Sequence, residues 1–548
     1  MLARPALAPL ALAAALSACA GDGSDTSLDS DTASDGGTGE STSSGGDTVA
    51  STTGGSTDTD TTTGEPGLPP LPPLGHVPWT TESRIVAAHA AEAAPYLDPR
   101  DPALRQQALD EGYGDIADAA PEPIQDRTLD DAPPPAPGAS PALLGRFVHL
   151  ADTQLADDES PTRVVLLDNT EALSSAFRPQ ESHACRTLDA AARTINAVHA
   201  EHPLDLVILG GDNIDSAQGN ELAWFTGILN GDPVVHCDSG VDDDPVPGPA
   251  NDPKDPFGPV GLEVPWRWVS GNHDVLVQGN FTAAAQKSAA ISDQAPGGTR
   301  DWSKPEGPVI SGTIPADPAR ALVGDVLLGI VGADGDGHGV DAASIERGRA
   351  FYSFPLADAP ILFLVVDTAA DTGGGKGIIR QGEVDELIRP ALDAAEAAQQ
   401  MVIVTSHHCS TSLGDGGDLG GTVQPDAITP DEFQALLGEY PGVLMHLCAH
   451  SHTHRVRVIE PLGGAAYWEV ATASLSDYPQ QLRVVEIHDQ DDGWLTITGV
   501  ALDYAVDGDP LAAEGRRLAY LDYTSAWRGS GTGTEVDRNV RLWVQSPW

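Results

Sequence analysis

Five short polar clusters stand where apolar runs stop: Asp152-Thr153-Gln154, Gly211-Asp212-Asn213-Ile214-Asp215, Asn272-His273-Asp274, His407-His408 and His450-Ser451-His452. Each follows a strand-like run, in turn RFVHLA, LDLVILG, WRWVS, MVIVTS and VLMHLC. Together they offer carboxylates, amides and imidazoles, and no thiolate. Such an oxygen and nitrogen set suits divalent or trivalent first-row metals rather than a Cys-rich structural zinc. The donors are too many for one ion. Two ions about 3.5–4 Å apart, sharing a carboxylate, would use them. Ligand types just past the C-terminal ends of buried strands are where open α/β sheets place their sites.

The order D-x-[H/Q], G-D-x-x-D, G-N-H-D, H and G-H-x-H resembles the calcineurin-like metallophosphoesterase superfamily, from about Arg146 to the C-terminus. The resemblance implies an α/β protein, a four-layer α/β/β/α sandwich of two mixed sheets. It implies a first metal site of Asp152, Gln154, Asp212 and His452, with Asp212 as the bridging carboxylate. Asn272, His407 and His450 resemble the rest of the second site. His273 resembles the catalytic histidine that is not a ligand, with Asp274 placed to orient it. His408 and His454 fall where they would contact substrate. Two positions depart from the pattern: Gln154 stands where most members have His, and Ala449 where most have Gly.

The activity implied is hydrolysis of phosphate mono- or diesters by a hydroxide generated at two metal ions (Fe, Mn or Zn), with His273 protonating the leaving group. Further stretches, GGDNIDSAQGNEL, YWEVATASLSDYPQQLRVVEI and DRNVRLW, resemble an exported bacterial branch of the superfamily. A reading from another class is a surface lipoprotein that keeps the fold as a binding module without turnover. Gln154 and Ala449 favour it; Asp212, Asn272 and His273 speak against it.

The elements that must position these clusters are legible in part. The first catalytic strand is expected at Phe147–Ala151, with His149 in the core. Apolar spacing at Leu188, Ala191, Ile195 and Val198 predicts a helix over residues 186–202. LDLVILG follows it, giving a β-α-β unit with both clusters at one sheet edge. Residues 226–262 and 275–350 read as insertions, the first solvated and acidic around Asp242, Asp243 and Asp244, the second a substrate gate with His338 in a surface loop. A helix is expected from Gly382 to Gln400. Another starts at Thr429-Pro430-Asp431-Glu432, a capping-box signature. YWEVAT, QLRVVEI and WLTITGVAL read as strands of the second sheet.

The rest of the chain reads as delivery. Residues 1–19 carry Arg4, an Ala/Leu run and Leu16-Ser17-Ala18-Cys19, which reads as a lipoprotein signal cut before a lipidated Cys19. Residues 20–78 read as a tether, first Gly/Ser/Thr/Asp-rich and then a Pro-rich spacer, with a reach of roughly 40–45 Å. Residues 79–140 read as an N-terminal extension, with a helix over residues 82–97, and residues 141–548 as the catalytic domain. The protein is thus expected to be exported and lipid-anchored, touching a membrane only through that anchor. The chain has a formal net charge of −52. Only ten of its 81 acidic residues lie in residues 20–65, so the folded part is itself acidic and repels nucleic acid. Four cysteines follow Cys19. They could form two disulfides in three possible pairings; Cys185 with Cys237, both in loop-like sequence, is the first pair to test, and Cys409 and Cys448 read as buried free thiols slightly in preference to a bridge.

Overall fold

The computed structural model describes residues 67–548, apart from Val77, Trp79, residues 90–96 and residues 169–174. Cys19, the leader and the tether as far as residue 66 lie outside the described residues.

Thirteen strands make the two large sheets. In chain order they are β1 (Gln125–Thr128), β2 (Ala142–Leu150), β3 (Leu206–Leu209), β4 (Trp266–Arg267), β5 (Tyr352–Pro355), β6 (Ile361–Val365), β7 (Met401–Thr405), β8 (Val443–Cys448), β9 (Arg455–Ile459), β10 (Tyr467–Ala471), β11 (Gln481–Asp489), β12 (Trp494–Asp503) and β13 (Val540–Gln545). One sheet runs β1-β13-β12-β11-β2-β3-β4 and the other β5-β6-β7-β8-β10-β9. Both are mixed. β2, β3 and β4 run parallel, and so do β6, β7, β8 and β10. Their C-terminal ends therefore deliver all five clusters.

The alternation of β6 and β7 shows why there are two apolar layers. Ile361, Phe363, Val365, Met401 and Ile403 enter the core between the sheets, where Phe363 meets Phe147 edge to face at 5.2 Å. Leu364, Val402 and Val404 face the other way, onto Leu392, Phe433 and Leu436. Those residues belong to α3 (Arg389–Ala397) and α4 (Pro430–Gly438), which cover that sheet. The opposite sheet is covered by α1 (Ala184–Glu201) and α2 (Gly219–Asn230), whose Leu188, Ile195 and Phe225 join the central core. A successive-residue period of two buries both faces of a sheet only when helices lie outside it. The layers are α/β/β/α, as the family resemblance implied.

Local signals hold at several points. Thr429 caps α4, its hydroxyl accepting from the Glu432 amide at 3.3 Å while Glu432 accepts from the Thr429 amide at 2.8 Å. Such a cap stabilises a helix by about 1 kcal/mol. The helix expected from Gly382 begins at Gln381 and passes through a π-helical turn, Val384–Ile388, before α3.

Other readings are corrected. Tyr467–Ala471 does not share a sheet with QLRVVEI and WLTITGVAL. It is buried along its whole length and pairs parallel with β8, whereas β11 and β12 pair antiparallel beside β2. Ile85–Ala88, expected in a helix, is a strand paired with Ile116–Ala119, and the Val86 amide donates to Asp503 at 3.1 Å. Long-range pairing overrides Ala-rich helix propensity there. The Pro-rich spacer is not free at its end: Leu68 donates to the Pro233 carbonyl at 3.0 Å and Arg193 Nε to the Pro72 carbonyl at 2.8 Å. The first insertion is not wholly solvated, because Asp243 is buried beside Glu159 and Asp238, with the Lys254 ammonium 2.8 Å from Glu159. His338 is buried too, stacked on Trp266.

Cys185 and Cys237 are bridged. So are Cys409 and Cys448, against expectation. Cys448 ends β8 and Cys409 lies just past the neighbouring parallel β7, which brings their Cα atoms to 5.0 Å.

Candidate metal centre

Three of the five clusters turn sharply as their strands end. Asp152, Gln154, Asp212, His450 and His452 all have positive φ, between 41° and 65°. This region is uncommon for residues other than glycine, and each instance costs roughly 1–3 kcal/mol. Cross-strand hydrogen bonds hold the turns. The Asp152 amide donates to the Gly211 carbonyl at 3.1 Å, Gln154 to Asp212 at 2.8 Å and Ala449 to His407 at 2.8 Å. Ala449 needs no left-handed backbone here, so the missing glycine leaves the turn intact. Gly271 has no such substitute: a Cβ there would lie 2.1 Å from Asp212 Oδ1.

The turns bring seven expected ligands into two groups. His407 Nδ1 lies 2.8 Å from the Gly210 carbonyl, which fixes its proton there and leaves Nε2 as a lone pair. That Nε2 lies 3.1 Å from Asp212 Oδ2, 3.2 Å from Asn272 Oδ1 and 3.2 Å from His450 Nδ1. Asn272 is turned oxygen-inward because its Nδ2 donates to the Gly279 carbonyl at 2.9 Å. In the second group His452 Nε2 lies 3.4 Å from Asp152 Oδ1, and the Gln154 amide 3.4 Å from Asp212 Oδ2. Asp212 belongs to both groups.

Lone pairs aimed at one another from four side chains repel unless positive charge sits among them. The residues present therefore fit a pair of metal ions, with Asp152, Gln154, Asp212 and His452 around one and Asp212, Asn272, His407 and His450 around the other. Protons partly take that role without metal. Burial would push His407 and His452 down, but the Asp212 carboxylate beside His407 and the Asp152 carboxylate beside His452 outweigh it. Their pKa values rise to about 9 and about 10. Gln154 is turned the other way from Asn272: Nε2 faces Asp212 and Oε1 accepts from Ser476 Oγ at 3.4 Å. A half-turn of the amide exchanges the two atoms without moving the rest of the side chain.

His273 sits against the same turns. Its amide donates to Asp212 Oδ1 at 2.8 Å, and its ring Nδ1 lies 2.7 Å from the Asp215 carbonyl and 3.3 Å from Asp215 Oδ1. Burial opposes charging of the ring, but the Asp212 and Asp215 carboxylates raise its pKa above the usual histidine value. Gly279 lies against the ring edge, where a Cβ would meet Nε2 at 2.3 Å.

Asp274 is not the orienting residue. Its carboxylate accepts from the amides of Asn213, Ile214 and Gly271 at 2.7–3.1 Å and ties the two loops together. Asp215 orients His273, and is itself held by Arg163 Nη1 at 3.1 Å. Behind His452 stands an unforeseen pair: His452 Nδ1 lies 2.5 Å from Asp477 Oδ2, and Arg178 Nε donates to Asp477 Oδ1 at 2.6 Å. Asp215 and Asp477 both lie in stretches that resemble the exported branch; nothing in the sequence marks Arg178.

The two expected substrate contacts are placed elsewhere. His454 is fully buried, with Nδ1 accepting from Arg483 at 2.9 Å and Nε2 at 3.2 Å from Gln481 Oε1. His408 is fully buried between Thr368 and the Gly375 carbonyl, packed on His450. Neither lines the cavity of about 480 Å³ that opens onto Asp212, Asn272, His273, His450 and His452. Of the second insertion only Asn280 lines it. His149 is a core residue, as expected, 2.8 Å from Thr472 Oγ1.

A family model described as calcineurin-like phosphoesterase matches residues 145–454. No curated protein matches the chain. Solved structures similar to it include a dimetal phosphatase from Danio rerio, 13% identical over 66% of this chain and 100% of that one, with a TM-score of 0.37. A sulfate thiohydrolase, SoxB, from Thermus thermophilus is 13% identical over 72% and 61% of the two chains, with a TM-score of 0.30. The purple acid phosphatase PPD1 from yellow lupin seeds is 12% identical over 70% and 53%, with a TM-score of 0.27.

Proposed function

The chain belongs to the calcineurin-like phosphoesterase family, and from that premise we propose that it is a metal-dependent phosphoesterase hydrolysing phosphate mono- or diesters. One observation carries the reading: the three donors converging on His407 Nε2, beside a second group that shares Asp212, at the floor of an open cavity. When bound there, a pair of ions from Fe, Mn and Zn supplies Lewis acidity and activated water.

The chain's own residues do the rest. Asp212 ties the two groups into one centre and receives the His273 amide, which sets the distance between centre and acid. His273 keeps one proton on Nδ1 toward Asp215 and presents Nε2 to the ester. From Nε2 a proton passes to the leaving oxygen, an effect typically of about 10²–10⁴-fold. Arg178 and Asp477 hold His452 by its far nitrogen, fixing which ring atom faces the centre. The chain is further proposed to be exported and held to a membrane through Cys19; the two disulfides support an oxidising compartment.

The test is metal analysis of the purified protein with parallel assays on a chromogenic phosphate monoester and its diester. Asp212→Ala is expected to lose activity and at least one ion. His273→Ala is expected to lower kcat by at least 100-fold with metal content kept. Equal metal loss in both variants would overturn these roles. A second reading, a binding module without turnover, is favoured by the Gln154 amide, whose Nε2 faces Asp212. Metal-replete protein that turns over neither ester would establish it.

A further inference from the structure

Among the described residues, the cavity wall away from the metal centre is built from polar side chains and glycine. Ser175, Arg178, Asn280, Arg528 and Ser530 line it, and among the described residues no aliphatic or aromatic side chain joins them. This is unlike most small-molecule pockets, which are largely apolar with a few polar anchors. A nucleobase, a lipid chain or an aryl group would bury its carbon surface against nothing apolar among the described residues. A leaving group rich in hydroxyls loses little by entering.

Two guanidinium groups stand on this wall. Arg178 is spoken for, because Asp477 takes Nε and Nη2 at 2.6 and 3.3 Å. Arg528 is not. Its Nη2 donates to Asp168 Oδ1 at 3.1 Å and to the Phe177 carbonyl at 2.5 Å, while Nη1 has no hydrogen-bond partner among the described residues. The side chain is only 10% exposed, so the Nη1 edge is a donor held in place. Its other carboxylate neighbour, Asp522, is 3.9 Å from Nε, and burial pushes that carboxyl well above the usual range, toward the neutral form. On a chain with a net charge of −52, this is a retained positive edge beside the centre. A fixed guanidinium edge matches the geometry of a carboxylate or phosphate.

We propose that the ester hydrolysed here is small and hydrophilic, with a second anionic group on its leaving alcohol that rests on the Nη1 edge of Arg528. This rests on the phosphoesterase reading and narrows its substrate class. The second anion is a carboxylate or a phosphate; the hydrophilic wall sets the character of what joins it to the scissile group.

The experiment compares three primary alkyl monoesters of similar leaving-group basicity on the metal-loaded full chain: 3-phosphoglycerate, glycerol 3-phosphate and n-butyl phosphate. Expected kcat/KM falls in that order, with at least tenfold between the first two. Fructose 1,6-bisphosphate distinguishes a phosphate from a carboxylate as the preferred second anion. Arg528→Gln is expected to collapse the ratio between the first two esters at least tenfold, and Arg528→Lys to retain part of it. Equal rates for the first two esters, preference for the butyl ester, or an unchanged ratio in Arg528→Gln would overturn the inference. Should Arg528→Gln not fold, the three-ester comparison on the unaltered protein decides alone. Calorimetric titration with 3-phosphoglycerate and glycerol 3-phosphate supplies a readout without turnover. A tenfold binding preference with no hydrolysis would overturn the esterase reading and uphold the anion subsite; hydrolysis with no preference would do the reverse.

Discussion

At the scale of single residues, the pairing of His273 with Asp215 rather than Asp274 gives the two carboxylates separable jobs. Asp215 is held down to about 2, the His273 ring and Arg163 outweighing the effect of burial, so it stays charged against the imidazole. It is one of two carboxylates that raise His273. Removing its charge lowers the His273 pKa, and a reaction that needs the imidazolium then fails at lower pH. Asp215→Asn is therefore expected to move the alkaline limb of the kcat profile down by roughly 1 unit, the order for a carboxylate this close. Asp274→Asn is expected to leave that limb in place, because Asp274 touches amides and not the ring, and to lower thermal stability. A pH–rate series on both variants checks this; matching profiles would mean that Asp215 acts only through the fold.

At the scale of elements, the Cys409–Cys448 bridge closes the gap between the ends of β7 and β8. Cys409 lies two residues after His407, and Cys448 two before His450. Both sulfurs are buried and pack with Ala471 of β10. The bridge thus ties together the turns carrying two ligands of one ion. Closing a loop with a sequence separation of 39 limits the unfolded chain by roughly 4 kcal/mol in the chain-entropy picture. The Cys185–Cys237 bridge spans 52 residues and is of similar order by that measure, yet neither of its cysteines lies within two residues of a proposed ligand. Replacing Cys409 and Cys448 together by Ser is expected to weaken the second ion at least tenfold in a chelator competition. The same change at Cys185 and Cys237 is expected to cost comparable unfolding free energy with metal affinity kept. Equal loss of metal from both pairs would show that global stability, not local clamping, decides.

At the scale of the molecule, charge and delivery belong together. A chain at −52 repels polyanions, so a small phosphorylated substrate meets less opposition than a nucleic acid. Among the described residues no helix is long and apolar enough to cross a membrane. Any attachment through Cys19 meets the domain by residues 68–72, which are hydrogen-bonded along it, rather than at residue 78. Cys19→Ser is expected to shift the exported protein from the membrane fraction to the soluble one, measured by fractionation and intact mass. Processed Cys19→Ser protein that stays with membranes would rule out that anchor.

The proposed ligand set was readable from sequence because strand ends are written locally: an apolar run stops, and a carboxylate, amide or imidazole follows. The α/β/β/α layering followed from the same runs through the family they resemble. The place of Asp212 in both side-chain groups and that of His149 in the core needed no more than that. What sequence left undecided depends on contacts between distant segments. Asp215 and Asp274 are both plausible partners for His273 by spacing, and only the packing of two loops decides between them. His408 and His454 sit beside true cavity residues in the chain, but a strand end and a sharp turn aim neighbouring side chains in opposite directions. The strand partners of Tyr467–Ala471 and the bridge between Cys409 and Cys448 were fixed by which strands became neighbours. Arg528 lies far along the chain from every ligand cluster. It reaches the cavity only because the segment after α5 (Pro510–Thr524) folds back over the metal centre, a long-range contact that no local pattern encodes.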